Sequence, residues 1–132
     1  MDVVTLRTYT ATTENSISNP KGWNKSLLLS DFASKTTTIS FENEYITLAT
    51  NVSNSYTEKG GWCFVRINFT SIDTSSHEIG YSLPKPAMPN YSYFYSSNRT
   101  GELRIAANGS IRLRVFEVGA SVQLAFSYPI AD

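Results

Sequence analysis

The feature that most constrains this chain is strict two-residue alternation of apolar and polar side chains, repeated from one end to the other. Cys63, Val65, Ile67 and Phe69 share a parity opposite Arg66 and Asn68, and Val122, Leu124, Phe126 and Tyr128 alternate with Gln123, Ala125 and Ser127. Shorter versions occur at Val4/Leu6, Ile39/Phe41, Ile46/Leu48 and Ile79/Tyr81/Leu83. Side chains on a strand point to opposite faces in turn, so such segments form half-buried β-strands. No window of helical length shows a 3.6-residue pattern. The expectation is an all-β, antiparallel sandwich or jelly-roll-like fold of eight to ten short strands with little or no helix.

The hairpin near the C-terminus can be read to its register. Leu103 and Ile105 have to face the same side as Ile111, Leu113 and Val115. A two-residue loop at Asn108-Gly109 would set Ile105 against Arg112 and split the apolar face. A three-residue loop, Ala107-Asn108-Gly109, pairs Ile105 with Ile111 and Leu103 with Leu113. The turn is then type I, followed by Gly109 in the left-handed region as a bulge. Loops are expected at Asn15–Asn24, Asn51–Gly61 and Pro84–Asn90. The last holds Pro84, Pro86 and Pro89, which cannot donate to a ladder and favour an ordered, extended crossover.

At 132 residues the chain fits one domain, 1–132. Hydrophobic residues make up 41% and charged residues 17%, which places the chain among folded proteins. Eleven basic residues balance eleven acidic ones, so no net field recruits nucleic acid or an anionic membrane. Arg104, Arg112 and Arg114 form the one local basic cluster, read as a solvated strand face. No apolar run approaches membrane-spanning length, so no membrane insertion is expected, and the N-terminus lacks the layout of a signal peptide. Six Asn-x-Ser/Thr sequons occur, as expected by chance in a chain about a quarter Ser and Thr.

The inventory for catalysis is small. Cys63 is the sole cysteine, placed mid-pattern on a buried face, and His77 is the sole histidine, at a strand edge with no motif around it. There is no nucleophile elbow, phosphate loop or metal-ligand spacing, and no carboxylate pair singled out for glycoside hydrolysis. No enzyme activity, cofactor or metal is expected. Binding rests instead on aromatic side chains in excess of what one small core uses. Tyr91, Tyr93 and Tyr95 share one strand face with Phe94 opposite, and tyrosine joins a flat apolar ring to a polar tip. Trp23, in the loop Pro20–Asn24, is a candidate stacking platform, and Trp62, just ahead of a core strand, is ambiguous. Asn98 and Arg99, before Gly101, offer hydrogen bonds to hydroxyls or a phosphate. The candidate ligand contacts are thus Trp23, His77, Tyr91, Tyr93, Asn98 and Arg99.

Three pieces of the second half carry a resemblance. They are Trp62-Cys63-Phe64-Val65-Arg66-Ile67-Asn68-Phe69; Leu83-Pro84 with Pro86 and Pro89; and the ending, Glu102-Leu103-Arg104-Ile105, Asn108-Gly109-Ser110-Ile111-Arg112-Leu113 and Phe126-Ser127-Tyr128-Pro129-Ile130. Together they resemble the receptor-binding head domains of tailed bacteriophages that infect Gram-positive bacteria. The ending is also somewhat similar to adenovirus fibre knobs. The phage resemblance implies a jelly-roll-like head, excised from a longer chain with a neck or shoulder, and a homotrimer at the tail tip or baseplate of a virion. It also implies binding of a bacterial cell-surface saccharide, cell-wall polysaccharide or teichoic acid. A structural tail or baseplate module that binds only other virion proteins is the second reading, and a polysaccharide depolymerase the third.

Overall fold

The computed structural model describes residues 33–132. Their nine strands are β1 (Lys35–Thr38), β2 (Ile46–Leu48), β3 (Ser55–Lys59), β4 (Trp62–Ser71), β5 (His77–Ser82), β6 (Ser92–Tyr95), β7 (Gly101–Ile105), β8 (Ser110–Val115) and β9 (Val122–Pro129). All pairings are antiparallel, and no helix occurs among the described residues. One sheet has β4 at its centre, with β9 along one side; on the other side lie β3, which carries β1 beyond it, and β2. The second sheet runs β5-β8-β7-β6, a Greek-key order in which the meander β6-β7-β8 lies beside the earlier β5. The fold is therefore the expected antiparallel β-sandwich.

The alternating residues supply its interior. Cys63, Ile67 and Phe69 of β4 meet Leu103, Ile105, Ile111, Leu113 and Val115 of the other sheet in one buried cluster, completed by Val122, Leu124 and Tyr128. Each of these side chains stabilises the fold by about 1.5–3 kcal/mol through removal from water. The β7–β8 register pairs Leu103 with Leu113 and Ile105 with Ile111, as the apolar pattern requires. The turn is closed by the Gly109 N–H donating to Ala106 O at 2.8 Å, with Gly109 at φ +91°. A side chain at Gly109 would collide with the Leu83 carbonyl oxygen, 2.2 Å from where its Cβ would sit.

The proline-rich crossover is tied down by hydrogen bonds, but it bends at Pro84, Ala87, Pro89 and Asn90 where an extended run was expected. Leu83 N–H donates to Gly109 O, Ala87 N–H to Pro129 O, and Ala131 N–H to Lys85 O, while the Tyr128 hydroxyl donates to Pro84 O. The prolines lack N–H groups, and the residues between and beside them make these bonds.

Two local expectations are corrected. The expected loop Asn51–Gly61 contains β3, whose register with β4 sets Lys59 opposite Trp62. Gly60 and Gly61, at φ +61° and +82°, make the two-residue turn that this register needs. Ile39, expected within a strand, lies just past the end of β1; it is still buried, and its N–H donates to Asn54 O. Asn54 also seals the break between β2 and β3 along β4. Its side chain accepts from the Asn68 N–H at 2.7 Å and donates to Ala49 O at 2.9 Å. The expected strand at Val4/Leu6, the loop Asn15–Asn24 and Trp23 lie outside the described residues.

Candidate functional site

The tyrosine face is built by the core beneath it. On β6, Phe94 turns inward and stacks on Phe126 with ring centroids 4.1 Å apart. Alternation then sends its neighbours outward: Tyr91, Tyr93 and Tyr95 are 58%, 50% and 57% exposed. On β6 the backbone positions of Tyr93 and Tyr95 are about 6.6–6.8 Å apart by the rise of two residues, and Tyr91 immediately precedes the strand. Among the described residues β6 is the edge of its sheet, paired with β7 so that Tyr93 lies opposite Arg104 and Tyr95 opposite Glu102.

Charged groups stiffen this face. The Arg104 guanidinium lies 4.0 Å from the Tyr91 ring centroid and donates to Glu78 Oε2 at 3.0 Å. Arg112 donates to the same oxygen through Nε at 3.2 Å and Nη2 at 2.9 Å. Register lines up Glu78, Arg112, Arg104 and Tyr93 across all four strands. The Arg104 side chain is only 11% exposed, and its Nε is buried without a hydrogen-bond partner among the described residues. Stacking on Tyr91 and the shared carboxylate hold that cation in one place. Beside Tyr91, a groove of about 370 Å³ is lined by Pro89, Asn90, Ala106, Ala107 and Asn108. Rigid rings, two amides and fixed guanidinium groups are what a hydroxyl-bearing ring needs for stacking and orientation.

The other expected contacts are dispersed. Asn98 and Arg99 lie in the turn joining β6 to β7, at the Tyr95 end. Asn98 Oδ1 accepts from the Thr100 backbone N–H and hydroxyl, so this group shapes the turn. Arg99 is exposed, at φ +60°, with its N–H donating to Ser96 O. His77 sits on β5, the opposite edge of the sheet from the tyrosines. Its ring stacks on Tyr45 at 4.1 Å and its Nε2 lies 2.6 Å from Asp73 Oδ1. That imidazole closes the rim of the core. The same hydrogen bond, with help from the Ser75 N–H, holds the Asp73 carboxyl below its ordinary range. Cys63 is fully buried, and burial pushes its thiol up. Among the described residues no group of three or more His, Cys, Asp or Glu is placed to hold a metal ion.

A second surface escaped the sequence reading. On the outer face of the five-stranded sheet, Trp62 and Phe64 of β4 are 45% and 51% exposed. Register places Thr57 and Ser127 on either side of Phe64, and Ser55 and Ala125 on either side of Arg66. The small side chains on both neighbours leave a trough beside the large ones of the central strand. It has two lobes of about 510 and 530 Å³ that share Arg66, the first lined by Phe64 and the second by Asn68, Gln123 and Tyr95. The available signal was parity, since Trp62, Phe64, Arg66 and Asn68 alternate with the buried set. Parity shows which side chains point outward and not whether anything covers them.

Comparison with known proteins supplies no relative: no family model matches the chain, and no curated protein sequence matches it.

Proposed function

We propose that this chain is a non-catalytic saccharide-binding module whose contact face is the tyrosine-bearing edge of the four-stranded sheet. The observation that carries this reading is the row Tyr91, Tyr93, Tyr95, half or more exposed along β6 and the residue before it, with Arg104 held against Tyr91. Exposed aromatic patches of this kind mark interaction sites, and tyrosine can stack on the apolar face of a sugar while its hydroxyl meets a ring substituent. The resemblance of the second half to phage head domains suggests the setting: attachment to a bacterial surface glycan by a trimer, in which individually weak sites add through avidity.

The test is a glycan array probed with the full chain and with Tyr93→Ala, after its mass in solution is measured. The proposal expects one family of bacterial glycans to be retained by the wild type and weakened about tenfold or more by Tyr93→Ala. Such a loss corresponds to about 1.4 kcal/mol. A trimer that binds no glycan would overturn it in favour of a module that binds only virion proteins. Release of reducing ends from a bound polysaccharide would overturn its non-catalytic half.

A further inference from the structure

We propose that the trough on the outer face of the five-stranded sheet is a second, separate ligand site, and that it takes a hydroxylated anion: a sugar or polyol unit bearing a carboxylate or phosphate. Phe64 is the platform and Arg66 the anchor. The two stand on the same face of β4, about 6.6–6.8 Å apart by strand rise. Their neighbours across the sheet are small: Thr57 and Ser127 beside Phe64, Ser55 and Ala125 beside Arg66. A ligand can therefore lie flat on the ring with hydroxyl groups on both sides of it.

Charge decides the class. Among the described residues no carboxylate lines either lobe, and Arg66 makes no ion pair. The contrast is with Arg104 and Arg112, which share Glu78 on the other sheet. Arg66 lines both lobes, so its guanidinium is within reach of a group lying in either. A guanidinium fork matches a carboxylate or phosphate through two parallel bonds, which a neutral hydroxyl cannot reproduce. Asn68 and Gln123 in the second lobe add neutral donors and acceptors for a further unit of a linear ligand. The second lobe shares Tyr95 with the tyrosine face, but the site uses none of Tyr91, Tyr93 or Arg104, so Phe64 and Arg66 can be tested separately from that face.

The experiment is an amide-resolved NMR titration of the full chain with three probes: trigalacturonate, its neutral methyl ester, and glycerol phosphate. The proposal expects trigalacturonate, glycerol phosphate or both to shift amides in β3, β4 and β9 around Thr57, Phe64, Arg66 and Ala125. The methyl ester should bind about tenfold or more weakly than the acid, the size of one charge-assisted contact. Response to the acid alone assigns the charge as carboxylate, and response to glycerol phosphate alone assigns it as phosphate. Arg66→Gln should remove the preference for acid over ester, Phe64→Ala should weaken both alike, and Tyr93→Ala should change neither. All three positions are exposed, and unchanged amides in β7 and β8 report that each variant is folded. Measurable binding of acid and ester with equal affinity, shifts confined to the tyrosine face, or no shift with any probe overturns the proposal.

Discussion

Replacing Gly109 by alanine tests how tightly the β7–β8 turn and the proline crossover are locked together. Two costs are separable. Gly109 holds φ +91°, and an L-residue in a left-handed conformation costs about 1–2 kcal/mol. The new Cβ would also stand 2.2 Å from Leu83 O, so the crossover must move away. That movement strains or breaks the Leu83 N–H bond to Gly109 O, now 2.8 Å, at a cost of about 0.5–1.5 kcal/mol. The sum is about 1.5–3.5 kcal/mol. For a domain of this size each kcal/mol lowers Tm by about 4–8 °C, giving a fall of about 6–28 °C. Gly61→Ala is the matched control: its φ is +82°, and nothing lies within 4 Å of the added Cβ. It should lose only the conformational part, about 1–2 kcal/mol. Calorimetry on both variants reads the difference. Equal Tm losses would refute the claim that the close approach of turn and crossover contributes to stability.

Two further outcomes follow from buried or paired polar groups. Asn54→Ala strands the Asn68 N–H and the Ala49 carbonyl between β2 and β3, and should cost about 1–3 kcal/mol in a urea titration; wild-type stability would show that water replaces the amide freely. Asp73, held below its ordinary range first by the His77 hydrogen bond, contributes stability that is complete above about pH 4 and fades as pH falls through its lowered folded value. Asp73→Asn should therefore flatten the acid side of the stability profile, and an unchanged slope between pH 4 and 2 would contradict that linkage.

The parts of the fold legible in the sequence are those where one strand carries its own address. β4, β7, β8 and β9 each alternate long enough to fix a buried face, and Asn108-Gly109 fixed a register because only one loop length keeps Ile105 opposite Ile111. β3 was not legible as a strand because Ser55–Lys59 has a single large apolar residue, Tyr56, and is half-buried along most of its length. Its signal was the Gly-Gly turn alone. That His77 stands apart from the tyrosine face was not legible for a related reason. Its stacking partner Tyr45 comes from the segment before β2, and nothing in the local pattern encodes that meeting. The tyrosine face was legible because Phe94 sits between Tyr93 and Tyr95, and only one parity can enter the core. The trough was not, because it depends on the small residues that β3 and β9 bring to either side of β4.

The central claim is that the β6 edge binds saccharide. Its most direct measurement is amide shift mapping of the full chain with whichever glycan the array retains. The account predicts saturable shifts at Asn90 to Tyr95 and across to Arg104 and Asn108, abolished in Tyr93→Ala without loss of fold. Saturable shifts that leave β6 untouched, or binding that survives Tyr93→Ala at full strength, would contradict it.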